Sequence, residues 1–342
     1  MTLRSGTIQS FRNGGLCMTS VDAELRQAGE RNKRTNRFFF FREWRHFAAS
    51  WELTVLALPA ILFIFVFSYI PMYGIILAFK NYRFDKGIFG SEWVGFRNFE
   101  FFFVNDNIYR VLRNTISYNV FWIVLGTFTG LLLAVLLNEI SRKVSKFYQT
   151  AMFLPTFLSI VVVSYITFAF LETKQGYLNQ LLTDFGFDPV MWYMEPKYWP
   201  FILTIVNLWK GMGFGALMYY AAIVGVDQSY FEAARIDGAT RFQIAVKVTI
   251  PMIMPLIAIL LILSLGGILN GDFGLFYFIP NNSAYLYPTT DIIATYVYRA
   301  LMKSTDLGMV TAIGLFQNVV GFVLILLTNY VVRKINDENS LF

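Results

Sequence analysis

One lysine deep inside an apolar stretch, and one short polar loop between two such stretches, are where these 342 residues hold chemistry that asks for an explanation. If Tyr198–Val226 forms one helix, Lys210 stands about 18 Å from one end and about 24 Å from the other, beyond the reach of a lysine stem. An ammonium at that depth either faces a water-filled cavity or is neutralised by a carboxylate of this chain or of a companion chain. Asn207 and Trp209 flank it, and Gly211, Gly213, Phe214 and Gly215 follow. The Gly211-x-x-x-Gly215 spacing more often marks close helix packing than ligand contact. Ser264, Asn270, Gln317 and Asn318 are polar candidates in later apolar stretches. Each alone reads more readily as an interhelical hydrogen bond, although together they outline a path.

The loop runs from Asp227 to Pro251. Ser229 and Glu232 have the S-x-x-E spacing of a capping box, in which each side chain satisfies a free helix N–H. Gly238 then ends that helix, because glycine enters the left-handed conformation without steric penalty. Thr240 and Gln243 repeat the capping box for a second helix running toward Pro251. The result is a helix–glycine–helix elbow. Tyr230, Phe231, Ala234 and Ile236 give the short first helix more apolar surface than it can cover. They fit either a groove on another protein or the chain's own bundle.

Catalytic constellations are missing from the sequence. Cys17 and His46 are its sole cysteine and histidine, so it closes no disulfide on itself and offers almost no zinc ligands. It contains neither H-E-x-x-H nor G-x-x-x-x-G-K-S/T, so it holds no zincin protease motif, and any ATP must be bound by another polypeptide. No Asp or Glu falls inside an apolar stretch, which argues against paired-carboxylate catalysis and against proton- or sodium-coupled carriage.

Composition supplies the frame for these residues. Charged residues are 15% against 56% hydrophobic, where soluble domains carry about 25% charged. Six stretches, Leu53–Phe79, Asn114–Asn138, Phe147–Leu171, Tyr198–Val226, Val248–Gly271 and Leu307–Val332, each exceed the ~20 residues that cross ~30 Å of hydrocarbon. Backbone groups there must bond to one another, so an all-α polytopic membrane protein with six transmembrane helices is expected. Pro59, Pro71 and Pro155 predict kinks or distorted ends.

With the N-terminus inside, cytoplasmic segments carry seventeen Lys and Arg and the opposite segments ten, so both termini are expected in the cytoplasm. Nine of the seventeen lie in 1–50, a basic N-terminal segment that ends in an amphipathic stretch, Phe38–Phe47. The net charge of +6 therefore reads as attraction to lipid headgroups rather than to nucleic acid. A permease domain over 51–335 and a cytoplasmic tail, 336–342, complete the organisation. Trp44, Trp51, Trp192 and Trp199 sit near span starts, as interfacial anchors should. The first 50 residues contain no signal-peptide core, Gly14-Gly15-Leu16-Cys17 is a poor lipoprotein signal, and Met18 is an alternative initiator to Met1.

Glu232-Ala233-Ala234, three residues, Gly238, nine residues, then Val248-Thr249-Ile250-Pro251 resembles the EAA motif of binding-protein-dependent ABC importer permeases. That pattern ends in I-x-L-P, so Val248 and Ile250 are conservative departures, as is Gln228 where the family often has proline. Pro71–Phe79, Trp93-Val-Gly-Phe-Arg-Asn-Phe99, Asn138-Glu139, Gln149-Thr150, Phe153–Ser159, Asp291–Arg299, Ala312–Phe316 and Ser340-Leu-Phe342 look like the oligosaccharide and polysaccharide branch.

The resemblance implies a type I importer permease of MetI-like fold in the bacterial cytoplasmic membrane. It implies a second homologous permease, two ABC ATPase subunits that bind ATP and Mg, an extracellular solute-binding lipoprotein and an oligosaccharide substrate, with no cofactor in this chain. The coupling residues would be Ser229, Tyr230, Phe231, Glu232, Ala233, Ala234, Asp237, Gly238, Ala239 and Pro251. Lys210 would face an acidic sugar, and Trp209 would offer a sugar its apolar face and N–H. The competing readings are a self-contained channel or secondary transporter, and an integral-membrane transferase. The six spans show no obvious paired halves of the kind many secondary transporters have.

Overall fold

The computed structural model describes residues 51–100, 106–304 and 306–335. The basic segment 1–50, with Cys17, Met18, Phe38–Phe47, Trp44 and His46, and the tail 336–342, lie outside the described residues. The chain divides after Tyr73 into two compact units.

The described part of the first unit is helix α1 (Trp51–Ile64), a π-turn over Phe65–Tyr69, and a further turn, Ile70–Met72. Pro71 explains the π-turn. Its ring would strike the carbonyl four residues back and it has no N–H to donate. In response the Ile70 N–H bonds to Phe65 O, one residue further back, which widens the turn.

The second unit opens with a short antiparallel hairpin, β1 (Lys80–Asn81) against β2 (Glu92–Trp93). The Trp93–Phe99 motif organises this region. Phe79 stacks on Trp93 and packs against Phe96 and Phe99. Asn98 Nδ2 donates to Ala78 O and Lys80 O, each at 3.0 Å. These bonds occupy carbonyls at the end of a helical run, where no next turn exists to receive them.

Three long helices follow without a break: α2 (Asp106–Glu139), α6 (Trp199–Val224) and α12 (Leu307–Ile335). With Trp51–Phe79 they are the four unbroken runs long and apolar enough to cross a membrane. The third and fifth expected spans are bent pairs. Helix α3 (Arg142–Phe153), with the 3₁₀ turn Leu154–Phe157, meets α4 (Ile160–Leu171) at 95°, and the short helix α5 (Tyr177–Asp184) follows. Pro155 lies in that turn, and Ser159 starts α4 by accepting the Val162 N–H at 3.3 Å. After helices α7 (Gln228–Ile236) and α8 (Arg241–Ile244), the fifth span runs to Met252 and meets α9 (Met254–Gly266) at 63°. Pro251 is preceded by a π-turn, Ala245–Thr249, just as Pro71 is, and Pro255 follows four residues later. Two prolines one turn apart leave Ile253 outside the helix, and the span bends there. Helices α10 (Phe273–Phe278) and α11 (Ile293–Ser304) lie between α9 and α12.

The bundle is held by three apolar clusters. Tyr118, Trp199, Leu203 and Phe276 centre one, Tyr219, Ile223 and Ile257 the second, and Val111, Ile293 and Ile313 the third. Val319, Phe322, Leu326 and Leu327 remain on the outside of α12, as residues facing lipid do. Trp199 corrects the anchor expectation. It is fully buried, and its Nε1 donates to Trp192 O at 2.7 Å, so it packs the core instead of marking an interface.

Candidate functional site: an elbow and a cavity

The elbow forms, with one substitution in its chemistry. Asp227, not Ser229, caps α7: its Oδ1 accepts the Ser229 N–H at 2.9 Å. The proposed Ser229–Glu232 box is therefore absent. The residue two positions before Ser229 already has a carboxylate in place, and Glu232 is left exposed. The Ser229 N–H beside Asp227 holds its carboxyl below the usual carboxylate range. At the other end Gly238 N–H bonds to Arg235 O and Ala239 N–H to Ala234 O, a Schellman closure with Gly238 at φ +76°. The Thr240–Gln243 capping box is complete, at 3.3 and 2.8 Å.

Charge and burial then orient the elbow. Arg241 lies 3.6 Å from Glu139, the last residue of α2. Phe231 and Ile244 are buried in this chain's own bundle, so Phe231 is not among the apolar groups left seeking a partner. Tyr230, Ile236 and Phe242 do point outward, with Ile236 86% exposed. Ser229, Ala233, Asp237 and Gly238 share that exposed side of the loop, Ala234 and Ala239 are half-buried, and Pro251 lies beyond the π-turn.

A cavity of about 360 Å³ lies between α2, α6 and α9. Asn207, Gly211, Phe214 and Ser264 line it, and α2 adds Asn119, Trp122, Gly126 and Thr127. Asn207 is half-buried and its amide has no hydrogen-bond partner among the described residues. The neighbouring polar groups are more committed. Asn119 Nδ2 donates to Thr115 O, Ile268 O and Asn270 O, Trp122 Nε1 to Thr204 Oγ1, and Ser264 Oγ to Leu260 O. Asn207 is thus the amide the cavity offers to a visitor. The second span was overlooked as a wall, although Asn119, Trp122 and Thr127 stand at helical spacing inside an apolar stretch.

The remaining candidates lie elsewhere. Gln317 Nε2 donates to Leu269 O at 2.6 Å, and Asn318 Nδ2 to Gly314 O of its own helix at 2.9 Å. Asn270 takes part through its carbonyl, and Trp209 does not line the cavity. Lys210 is the largest correction. Its Nζ donates to Thr156 O at 3.2 Å and Leu158 O at 3.0 Å, while Thr156 Oγ1 donates back to Lys210 O at 3.0 Å. It does not line the cavity between α2, α6 and α9, and among the described residues it meets no carboxylate. The bend in the third span leaves two carbonyls without helical donors, and an ammonium supplies both. The glycines are reassigned as well. A Cβ on Gly213 would stand 2.0 Å from Met152 O, whereas one on Gly211 or Gly215 would meet nothing within 4 Å. Close packing belongs to Gly213, and Gly211 and Gly215 leave room in the cavity wall. Among the described residues, no group of three His, Cys, Asp or Glu is placed to hold a metal.

The sequence profile of the family described as "Binding-protein-dependent transport system inner membrane component" matches residues 126–337. The chain is 36% identical over 287 residues to Protein LplB of Bacillus subtilis (strain 168), covering 84% of this chain and 90% of that protein. It is 34% identical over 289 residues to the polygalacturonan/rhamnogalacturonan transport system permease protein YteP of the same strain, covering 84% and 89%. A chain of the crystal structure of a bacterial ABC transporter involved in the import of the acidic polysaccharide alginate superimposes with a TM-score of 0.78. The two are 33% identical, and the match covers 86% of this chain and 99% of that one. A second structure of the alginate transporter, in complex with an alginate pentasaccharide-bound periplasmic protein, matches with a TM-score of 0.76 at 33% identity, covering 85% and 97%.

Proposed function

This chain belongs to the binding-protein-dependent transport system inner membrane component family, and from that premise we propose that its solute is an oligosaccharide, delivered by an external binding protein and passed along the cavity between α2, α6 and α9. The chain is a multi-pass membrane permease of an ABC importer and a non-catalytic subunit. Membership sets aside the self-contained channel, the secondary transporter and the transferase. LplB is the relative most alike of those named above, and the polygalacturonan and alginate transporters carry sugar polymers, which favours a carbohydrate here.

The proposed assembly contains a second permease, two ATPase subunits that bind and hydrolyse ATP with Mg, and a solute-binding lipoprotein outside. Both termini and the 227–251 elbow face the cytoplasm. The elbow is the proposed contact with an ATPase subunit, because Tyr230, Ile236 and Phe242 stand outward on a loop braced at both ends by caps. A helix presenting such a face suits a groove.

The observation that carries the reading is the unpartnered Asn207 amide in a cavity at mid-span. An amide in that setting needs hydrogen-bonding company, and sugar hydroxyls provide it. Asn207→Leu keeps the volume and removes the amide. Uptake of labelled oligosaccharide into vesicles containing the assembled transporter should fall about tenfold, from the loss of one or two hydrogen bonds, while complex assembly stays intact. Undiminished uptake would exclude this cavity as the sugar's path.

A further inference from the structure

A second cavity, of about 530 Å³, opens between the same two long helices on another face. At about 100° per residue, Arg113, Ser117 and Phe121 run down one side of α2, nearly opposite Asn119, Ile123 and Gly126 of the cavity described above. Arg113 stands exposed at its mouth, and Arg110 lies one turn earlier on the same face.

Among the described residues the charges at this mouth are uneven. Asp291, 2% exposed, pairs with Arg299 at 2.5 Å and reaches Arg110 only at 3.8 Å. Arg299 is further held by stacking on Tyr287 at 4.1 Å. Among the described residues Arg113 makes no ion pair. Its Nη2 donates to Asn114 Oδ1 at 3.2 Å, and the buried Nε of Arg110 has no hydrogen-bond partner. Among the described residues Asp291 thus contacts two guanidiniums, Arg299 closely and Arg110 at 3.8 Å, and Arg113 meets no carboxylate, which leaves the two arginines of α2 able to take an anion.

Below the mouth, the slot has almost no polar capacity left. Tyr118 OH donates to Thr289 O at 3.0 Å, Thr204 Oγ1 to Pro200 O at 2.7 Å, and Thr289 Oγ1 to Pro196 O at 3.0 Å. Asn114 Nδ2 is spent on Pro288 O and Asp291 O. Ser117 is the one uncommitted hydroxyl, and Phe121, Phe201 and Ile205 supply exposed apolar wall. From Arg113 to Phe121 the slot descends about 12 Å along the helix. The uncharged stretch of the second span begins at Asn114, which places both arginines at the level of lipid headgroups.

A sugar would find cations at this entrance and nearly nothing to hydrogen-bond beneath them. A phospholipid would find both of its requirements. We propose that this slot binds an anionic phospholipid, with its phosphate on Arg110 and Arg113 and an acyl chain lying between α2 and α6. The site is independent of the solute assignment.

The test uses the full chain in its purified transporter complex, equilibrated in nanodiscs of equal phosphatidylglycerol and phosphatidylcholine. The lipid retained after transfer to detergent is then counted by native mass spectrometry. Phosphatidylglycerol should be retained in preference, and Arg113→Gln should reduce that preference about fivefold, as expected for one arginine near a headgroup. Ile205→Trp fills the slot without touching the arginines and should lower retention of both lipids. Arg113 is exposed and holds only a neighbouring side chain, so its variant tests the site and not the fold. Equal retention of the two lipids, an unchanged preference in Arg113→Gln, or cross-linking of Phe201→Cys to the companion permease across the slot would overturn the proposal.

Discussion

Replacing Lys210 by Met separates two roles that the sequence alone leaves open. The stem survives, while the donors to Thr156 O and Leu158 O are lost. Each carbonyl left without a donor costs about 1–3 kcal/mol. Relief of the lysine's own desolvation returns part of this, so the net loss is about 2–4 kcal/mol. In a chain of this size that lowers the unfolding temperature of the purified complex by about 3–6 °C. Lys210→Arg, which keeps cationic donors, should recover part of the loss. Uptake of acidic and neutral oligosaccharides of equal length should fall in parallel, because the defect lies in the bend and not in substrate charge. The reasoning fails if melting is unchanged and only acidic substrate uptake drops. That result would return Lys210 to the solute path.

Gly213→Ala forces a methyl against Met152 O and should destabilise the complex by about 1–3 kcal/mol or more in thermal unfolding, whereas Gly211→Ala should melt like the parent. Gly238→Ala imposes a left-handed conformation on a side-chain-bearing residue at a cost of about 1–2 kcal/mol, and ATP hydrolysis in vesicles should lose its dependence on solute uptake. Asp227 titrates lower folded than unfolded, so its cap is fully stabilising above the ordinary carboxylate range and is lost as pH falls through the lowered value. Amide-exchange protection at Ser229 should follow that acid loss in the parent and become independent of pH in Asp227→Asn. Spin labels at Thr127 and Ser264 should change separation when nucleotide binds the assembled transporter, while labels at Thr127 and Leu208 should not. A rigid Thr127–Ser264 distance would show that α9 is not the moving wall.

Much of this architecture was legible because it follows from local rules. Apolar length located the four unbroken runs and the two bent pairs, up to six spans, and the Gly238 and Thr240–Gln243 signals placed the elbow almost residue by residue. What escaped was decided by groups distant in sequence. Lys210 finds its acceptors more than fifty residues away, at a bend whose 95° angle no propensity encodes. Gly211 and Gly215 carried the familiar spacing, yet Gly213 faces the neighbouring backbone, because the direction of packing is set by the partner element. Asp227 displaced Ser229 as the cap because two competent residues stood within one turn, and spacing does not rank them. Asn119 was visible in the sequence. Its significance required knowing which face of α2 meets α6.

The two bent spans differ in what they allow to move. At the third-span bend, Lys210 and Thr156 exchange hydrogen bonds across the break, and Gly213 brings α6 onto the backbone of Met152. Separating them would cost hydrogen bonds and packing together. At the fifth-span bend Ile253 packs in the second apolar cluster, but among the described residues no hydrogen bond ties it to another span, and the clamp lies further on, where a Cβ on Gly321 of α12 would stand 2.3 Å from Gly266 O. A displacement of the elbow therefore enters a segment fixed at Gly266, softened by the Ala245–Thr249 π-turn and already bent at Ile253. The part between bend and clamp is α9, whose Leu260 and Ser264 form one wall of the cavity. Asn207 sits on unbroken α6, which the third-span bend holds in place. Motion at the elbow would thus swing the Ser264 wall relative to the Asn207 wall. A sugar held by the Asn207 amide would lose or gain its opposite wall without that amide having to move.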